Sequence, residues 1–166
     1  MPSLFARLRP AAPPSSAAYD AAVNVTRQPH WYRDGAVPDT MDGRFSVLTT
    51  VLALVTLRLE EGGEATNPAA VAMTETFIAD MDAQMRQAGF GDPSLGKQVR
   101  SLVGSLASRV DRWRNVEDIS AVVRRSVYRD GEVESAALDH SIDACTALRD
   151  RLGAGSIDDI VKGDFA

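Results

Sequence analysis

Cysteine is almost missing from this chain of 166 residues: there is one, Cys145. No internal disulfide can form, which fits a reducing compartment. Histidine is equally scarce. His30 and His140 lie on separate segments, and neither has a ligand partner at helical or loop spacing, whereas a structural metal site needs about four ligands. No run reaches the ~18 uninterrupted apolar residues of a membrane-spanning helix. The nearest, residues 47–57, is flanked by Arg44 and Arg58. Strand-like alternation and internal repeats are also lacking. The opening "MPSLFARLRPAAPPSSAA" fails as a signal peptide, because Arg7 and Arg9 interrupt its apolar run. Export is therefore not expected. Residues 1–16 read as a flexible lead-in, within which "LFARLR" is too short to hold a membrane surface firmly.

What is present is helical spacing. The length fits one domain, and an apolar fraction of 45% supports a real core. A short helix is predicted over residues 17–28, stopped by Pro29. The loop "HWYRDGAVPDT" follows, in which Pro38 biases Val37 to an extended backbone. Asp39 suits an N-cap, with Asp42 in the first turn, where the helix dipole favours negative charge. Next come Phe45, Leu48, Leu52, Val55 and Leu59 at spacings of three and four. Val47, Val51, Leu54 and Leu57 cover much of the opposite side, so this helix reads as buried all round. Gly62 and Gly63 stop it. Asn67 and Pro68 open a third helix with Met73, Phe77, Met81, Met85 and Ala88 on one stripe. The fourth carries Leu95, Val99, Leu102, Leu106, Val110 and Trp113. The fifth carries Ile119, Val122, Val123 and Val127, and the sixth Leu138, Ile142, Cys145, Leu148 and Leu152. After a break at residues 153–155, "SIDDIVKG" adds a last turn. The expected fold is all-α, a single compact domain of about six helices over residues 17–166. Leu48, Leu52, Val55, Phe77, Met81, Leu102 and Leu106 are the expected core.

Reactive chemistry is hard to find. Cys145 lies on an apolar stripe and reads as a small core residue. Gly89, Gly91 and Gly96 lack the preceding strand and the Ser/Thr after Lys97 that a phosphate loop requires. Asp80 and Asp82 point to different helix faces, so they are not a paired acid and base. Charge is unevenly spread. Between Lys97 and Arg129 lie eight basic residues, Lys97, Arg100, Arg109, Arg112, Arg114, Arg124, Arg125 and Arg129, against three acidic ones. That span is +5, which leaves −10 for the rest of a chain whose total is −5. Such asymmetry points to an anionic partner, or to a solvated face balanced by the acidic helices.

The runs "PHWYRDGAVPDTMDGRFSVL" and "TFIADMDAQMRQAGFGDPSLGKQVRSL" resemble the ubiquinol–cytochrome c chaperone family. These are assembly factors for respiratory complex III in mitochondria and bacteria. The pattern is carried by Trp31, Tyr32, Val37, Pro38, Asp39, Thr40, Asp42, Gly43, Arg44 and Phe45. Asp80, Met81, Asp82, Gly89, Gly91, Asp92, Gly96, Lys97 and Val99 continue it. Ala36 interrupts the pattern between Gly35 and Val37, and Ser46, Thr49 and Thr50 also depart from it. In "SLASR" only Arg109 is kept.

The resemblance implies a non-enzymatic chaperone, bacterial and membrane-associated, whose partner is newly made cytochrome b. It also implies contact with the ribosomal tunnel exit, an anionic membrane surface or a small co-chaperone, and no DNA. No cofactor and no metal are expected. The location implied is cytoplasmic, with peripheral contact to the inner membrane left open. The expected client surface is Trp31, Tyr32, Val37, Pro38, Asp39, Asp42, Arg44 and Phe45. Asp42 and Arg44 would hold the aromatics there as an apolar platform; a rigid plug completing the core is the other reading. The expected polyanion surface is Lys97, Arg100, Arg109, Arg112, Arg124, Arg125 and Arg129. Two other functions fit the residues: an RNA- or ribosome-binding adaptor without a client, and a haem or quinone module lined by the Met-rich helix.

Overall fold

The computed structural model describes residues 15–89 and 91–166. Among them the chain forms eight α-helices and no strand. They are α1 (Ala17–Thr26), α2 (His30–Arg33), α3 (Met41–Glu60), α4 (Asn67–Gln87), α5 (Asp92–Arg114), α6 (Ile119–Tyr128), α7 (Ser135–Ala154) and α8 (Ile157–Lys162). A single 3₁₀ turn, Gly63–Thr66, joins α3 to α4. The all-α expectation holds. The six expected helices are the long ones, α8 is the expected last turn, and α2 lies inside what reads from sequence as loop. Of the expected lead-in, residues 1–14 fall outside the described residues, as does the "LFARLR" element, while Ser16 already caps α1. No helix among the described residues is long and apolar enough to cross a membrane.

α3 is the axis. Ten consecutive residues, 46–55, are buried, so for almost three turns it has no exposed face. α1, α4, α5, α6, α7 and α8 all pack on it. Of its three buried polar residues, Thr49 and Thr50 are compatible with this because their hydroxyls bond within the helix, while Ser46 Oγ is buried without a hydrogen-bond partner. Thr49 Oγ1 donates to the Phe45 carbonyl at 2.8 Å and Thr50 Oγ1 to the Ser46 carbonyl at 2.7 Å. All the expected core residues are buried except Leu102, which packs half-buried against the rest.

Two arginines supply donors that helix ends lack. Arg58 of α3 donates from Nε to the Leu152 carbonyl at 2.9 Å and from Nη2 to the Gly155 carbonyl at 2.8 Å. This ties the end of α7 to the end of α3. Arg109 does the same for α6, as described below.

The start of α3 differs in detail from expectation. Thr40, not Asp39, is the N-cap, its Oγ1 accepting from the Gly43 amide at 3.2 Å. Asp39 instead pairs with Arg44 at 2.6 Å. The preceding loop folds back tightly onto the first turn. A Cβ on Gly43 would stand 1.9 Å from the Pro38 carbonyl oxygen and 3.3 Å from Val37 Cγ1. No side chain fits there unless the loop moves. Gly43→Ala should cost about 1–3 kcal/mol, the range for forcing atoms into a packed interior. Gly104 is the contrast: it sits within α5 and faces open space. Gly104→Ala should gain about 0.5–1 kcal/mol through helix preference. Urea unfolding of the two variants beside the parent checks both signs.

Candidate functional site

The two expected surfaces are built differently. In the first, α2 and the following loop are folded into the body of the protein. Trp31 is 1% exposed, and its Nε1 donates to the Val25 carbonyl at 3.0 Å. Tyr32 is half-buried, with its hydroxyl donating to the Thr26 carbonyl at 2.8 Å. Both aromatics thereby serve the last carbonyls of α1. Val37 is 2% exposed, and its amide bonds the Trp31 carbonyl at 3.1 Å. Phe45 is half-buried, with its ring centroid 6.2 Å from that of Phe77. The exposed platform is thus corrected for Trp31 and Val37, which act as the plug. Their apolar surface is worth more against the core than in water.

Tyr128 of α6 fastens the same loop from behind. Its hydroxyl lies 2.6 Å from the Gly35 carbonyl, 3.0 Å from the Ala137 carbonyl and 2.6 Å from Ser141 Oγ. Loop, α6 and α7 therefore meet at one oxygen atom. Ala36, the residue that interrupts the family-like pattern, takes a left-handed φ of 49°, a region that costs non-glycine residues about 1–2 kcal/mol. Pro38, Asp39, Asp42 and Arg44 remain on the surface. The salt bridge to Arg44 holds the Asp39 carboxyl below its ordinary range. Asp42 does not act locally; it reaches Arg129 at 3.2 Å.

The loop also carries a contact with no sequence signal. His30 Nδ1 lies 3.0 Å from His140 Nε2, across 110 residues of chain. Burial and then the neighbouring His140 push the His30 imidazole below its ordinary value. Among the described residues no group of three or more potential ligands could hold a metal ion.

The basic span separates into distinct roles. Arg109 is 5% exposed. Its Nε and Nη2 donate to the Ser126 carbonyl at 3.2 and 3.0 Å, and its Nη1 to Ser105 Oγ at 2.7 Å. Its guanidinium carbon lies 6.0 Å from the Phe45 ring centroid. Burial, then Arg112 and Arg129, push it down to about 10. Arg109 is therefore removed from the expected surface patch. It occupies the apolar stripe of Leu102, Leu106 and Trp113, a spacing visible in the sequence. Arg112 is half-buried and bonded to Ser108 Oγ at 2.7 Å. Burial, then Arg125, lowers it. Arg125 pairs with Asp130 at 3.0 Å, and Arg114 with Glu60 at 2.6 Å. The structure thus brings Arg109, Arg112, Arg125 and Arg129 together where α5 meets α6. Among the described residues no carboxylate pairs with Arg112 or Arg124. Lys97 and Arg100 lie near the other end of α5, Arg100 about 13 Å from Arg109 along the helix axis at ~1.5 Å per residue.

Cys145 is buried and its thiol is pushed up to about 12 by that burial, which makes it a core residue. A groove of about 640 Å³ lies at the other end of α3, bordered by Leu54, Leu57, Trp113 and Leu152. No α4 methionine lines it. Met73 and Met81 are packed in the core instead.

The profile of the ubiquinol-cytochrome C chaperone family matches residues 33–166. The chain belongs to that family. A search of curated proteins gives no match. Among solved structures, the chaperone-family chain is similar to the crystal structure of the Cbp3 homologue from Brucella abortus, with 25% identity and a TM-score of 0.75. The likeness covers 90% of this chain and 86% of that one. The family span takes in the loop from Arg33 onward, the whole of α3 and the basic α5–α6 corner, while His30, Trp31 and Tyr32 lie just before it.

Sequence reasoning left the platform and the core plug open for Trp31, and it missed the His30–His140 contact and the anchoring by Tyr128. Arg109→Met should cost about 1–3 kcal/mol, because the Ser126 carbonyl loses its donors inside the protein. Trp31→Ala should cost about 3–5 kcal/mol, as for other large buried aromatics. Arg125→Ala, on the surface, should leave the unfolding midpoint nearly unchanged. Chemical denaturation of the three variants tests this ranking.

Proposed function

We propose that this chain is a non-catalytic assembly chaperone for the ubiquinol–cytochrome c complex, and that its client is newly made cytochrome b. The family match over most of the chain carries this reading, and likeness to the Cbp3 homologue supports it. With Trp31 and Val37 inside the core, the client meets Pro38, Asp39, Asp42, Arg44 and the outer faces of Tyr32 and Phe45. Met41, 61% exposed at the entry of α3, lies beside them and adds a pliable apolar contact. Deleting the gene should lower assembled complex III while other respiratory complexes keep their levels, as read on native gels of the membrane fraction. Normal complex III in the deletion strain would contradict the reading.

The α5–α6 corner serves as the docking side, toward ribosomal RNA at the tunnel exit or anionic lipid in the inner membrane. What supports this is cationic excess: Arg112 and Arg124 make no salt bridge among the described residues, and Arg125 and Arg129 pair only with exposed carboxylates. A small co-chaperone belongs to the same proposal. Reversing Arg124, Arg125 and Arg129 to glutamate should flatten the salt dependence of ribosome binding, by about 0.7–0.9 in logarithmic slope per lost phosphate contact. If lipid is the surface, binding to vesicles containing anionic lipid should fall instead. Circular dichroism should be unchanged. A triple variant that binds both surfaces like the parent would make the corner a solvated face only.

A further inference from the structure

The His30–His140 contact has a geometry that a proton can operate. The facing nitrogens are 3.0 Å apart and the ring centroids 5.2 Å, with the ring planes at 65°. The rings therefore meet nitrogen to nitrogen. Such a contact needs one hydrogen between two nitrogens. A neutral pair supplies it, and a singly protonated pair supplies it with the added strength of a charge. A doubly protonated pair cannot, because two N–H groups and two positive charges would then face each other.

His30 is the first residue of α2, and His140 lies within α7. Backbone bonds from α2 hold the loop behind it. The amides of Asp34 and Gly35 donate to the His30 carbonyl at 3.0 and 2.9 Å, and the Val37 amide donates to the Trp31 carbonyl. His30 also lies against Trp31, ring centroids 4.8 Å apart. What happens at His30 is thus passed directly to the buried plug.

We propose that the His30–His140 pair is a proton-operated clamp: it fastens α2 and its loop to α7, and taking up a second proton loosens that segment. The surrounding charges set its range. Asp34 acts on both rings and favours protonation, whereas Arg33 opposes it at His30. Arg33 and Asp34 pair with each other at 2.7 Å, which mutes both effects. From α7, Arg151 borders the small cleft that His30 lines and adds positive charge. Asp139 and Asp143, also on α7, lie one residue before and three after His140.

The sign follows from linkage. The second proton binds less readily to the folded pair than to unfolded histidines, so the unfolded or opened segment takes up more protons. The clamp holds at neutral pH and weakens as pH falls below about 6.5, the ordinary histidine value.

Amide hydrogen exchange on the full chain at pH 7 and pH 5, corrected for intrinsic rates, tests this. Opening at Asp34, Gly35 and Val37 should rise several-fold at pH 5, by up to about tenfold for each pH unit between the ordinary histidine value and the second protonation of the closed pair, and level off below it, while α3 amides keep their protection. His140→Gln and His30→Asn place neutral amide groups near the same positions, and each should abolish the pH dependence at those three amides. An unchanged pH dependence in either folded variant, or no rise in the parent, would overturn the proposal. The readout needs no client or ribosome, so it stands apart from the assembly function.

Discussion

Everything in this fold is arranged around a helix that cannot tolerate water on any side. From Ser46 to Val55, α3 offers no polar face, and the polar side chains Thr49 and Thr50 turn back on their own backbone. A helix of this kind is unstable alone and must be enclosed. Six other helices supply the enclosure. The remaining task is to satisfy the ends of those helices, whose carbonyls and amides lack partners of their own. Arg58, Arg109, Trp31 and Tyr32 each supply donors to such an end, and each comes from a different element than the one it serves. The result is a bundle tied at its termini by side chains, where a chain of short loops alone would leave those groups bare.

The loop before α3 follows the same logic. Its motif residues do not stand together on the surface. Gly43 lets Pro38 approach the helix, Val37 fills the gap beneath, and Gly35 presents its carbonyl to Tyr128. What reads as a conspicuous surface motif is in good part the means of closing the core at the mouth of α3. The exposed remainder, Pro38, Asp39, Asp42 and Arg44 with Met41, is held rigidly by that closure. A partner docking there meets an ordered surface and spends little on ordering it.

Much of this was legible in the sequence. The three-four spacing of Leu48, Leu52, Val55, Phe77, Met81 and Leu106 places the core correctly, because that periodicity is set by burial on α-helices. The all-round apolar character of residues 47–57 marks the buried axis. The exact role of polar and aromatic residues was less legible. Trp31 and Arg109 each carry chemistry that suits a surface and a core alike, and only the partner decides: Val25 for one, Ser126 for the other. The stripe spacing of Arg109 with Leu106 and Trp113 pointed inward, but a count of charges hides it. His30 and His140 had no signal at all, since their contact is made by tertiary packing across the whole chain. α2, one turn long, is too short for a periodic pattern to show.

The chain belongs to the ubiquinol-cytochrome C chaperone family, and its structure is a helical bundle closed around α3 with basic residues gathered where α5 meets α6. The most direct test of the account is affinity capture of the tagged full chain from membranes solubilised in mild detergent, with quantitative mass spectrometry of what co-purifies. The account predicts strong enrichment of cytochrome b over the membrane subunits of other respiratory complexes. Capture that leaves cytochrome b at background, with only RNA or ribosomal proteins enriched, would contradict it.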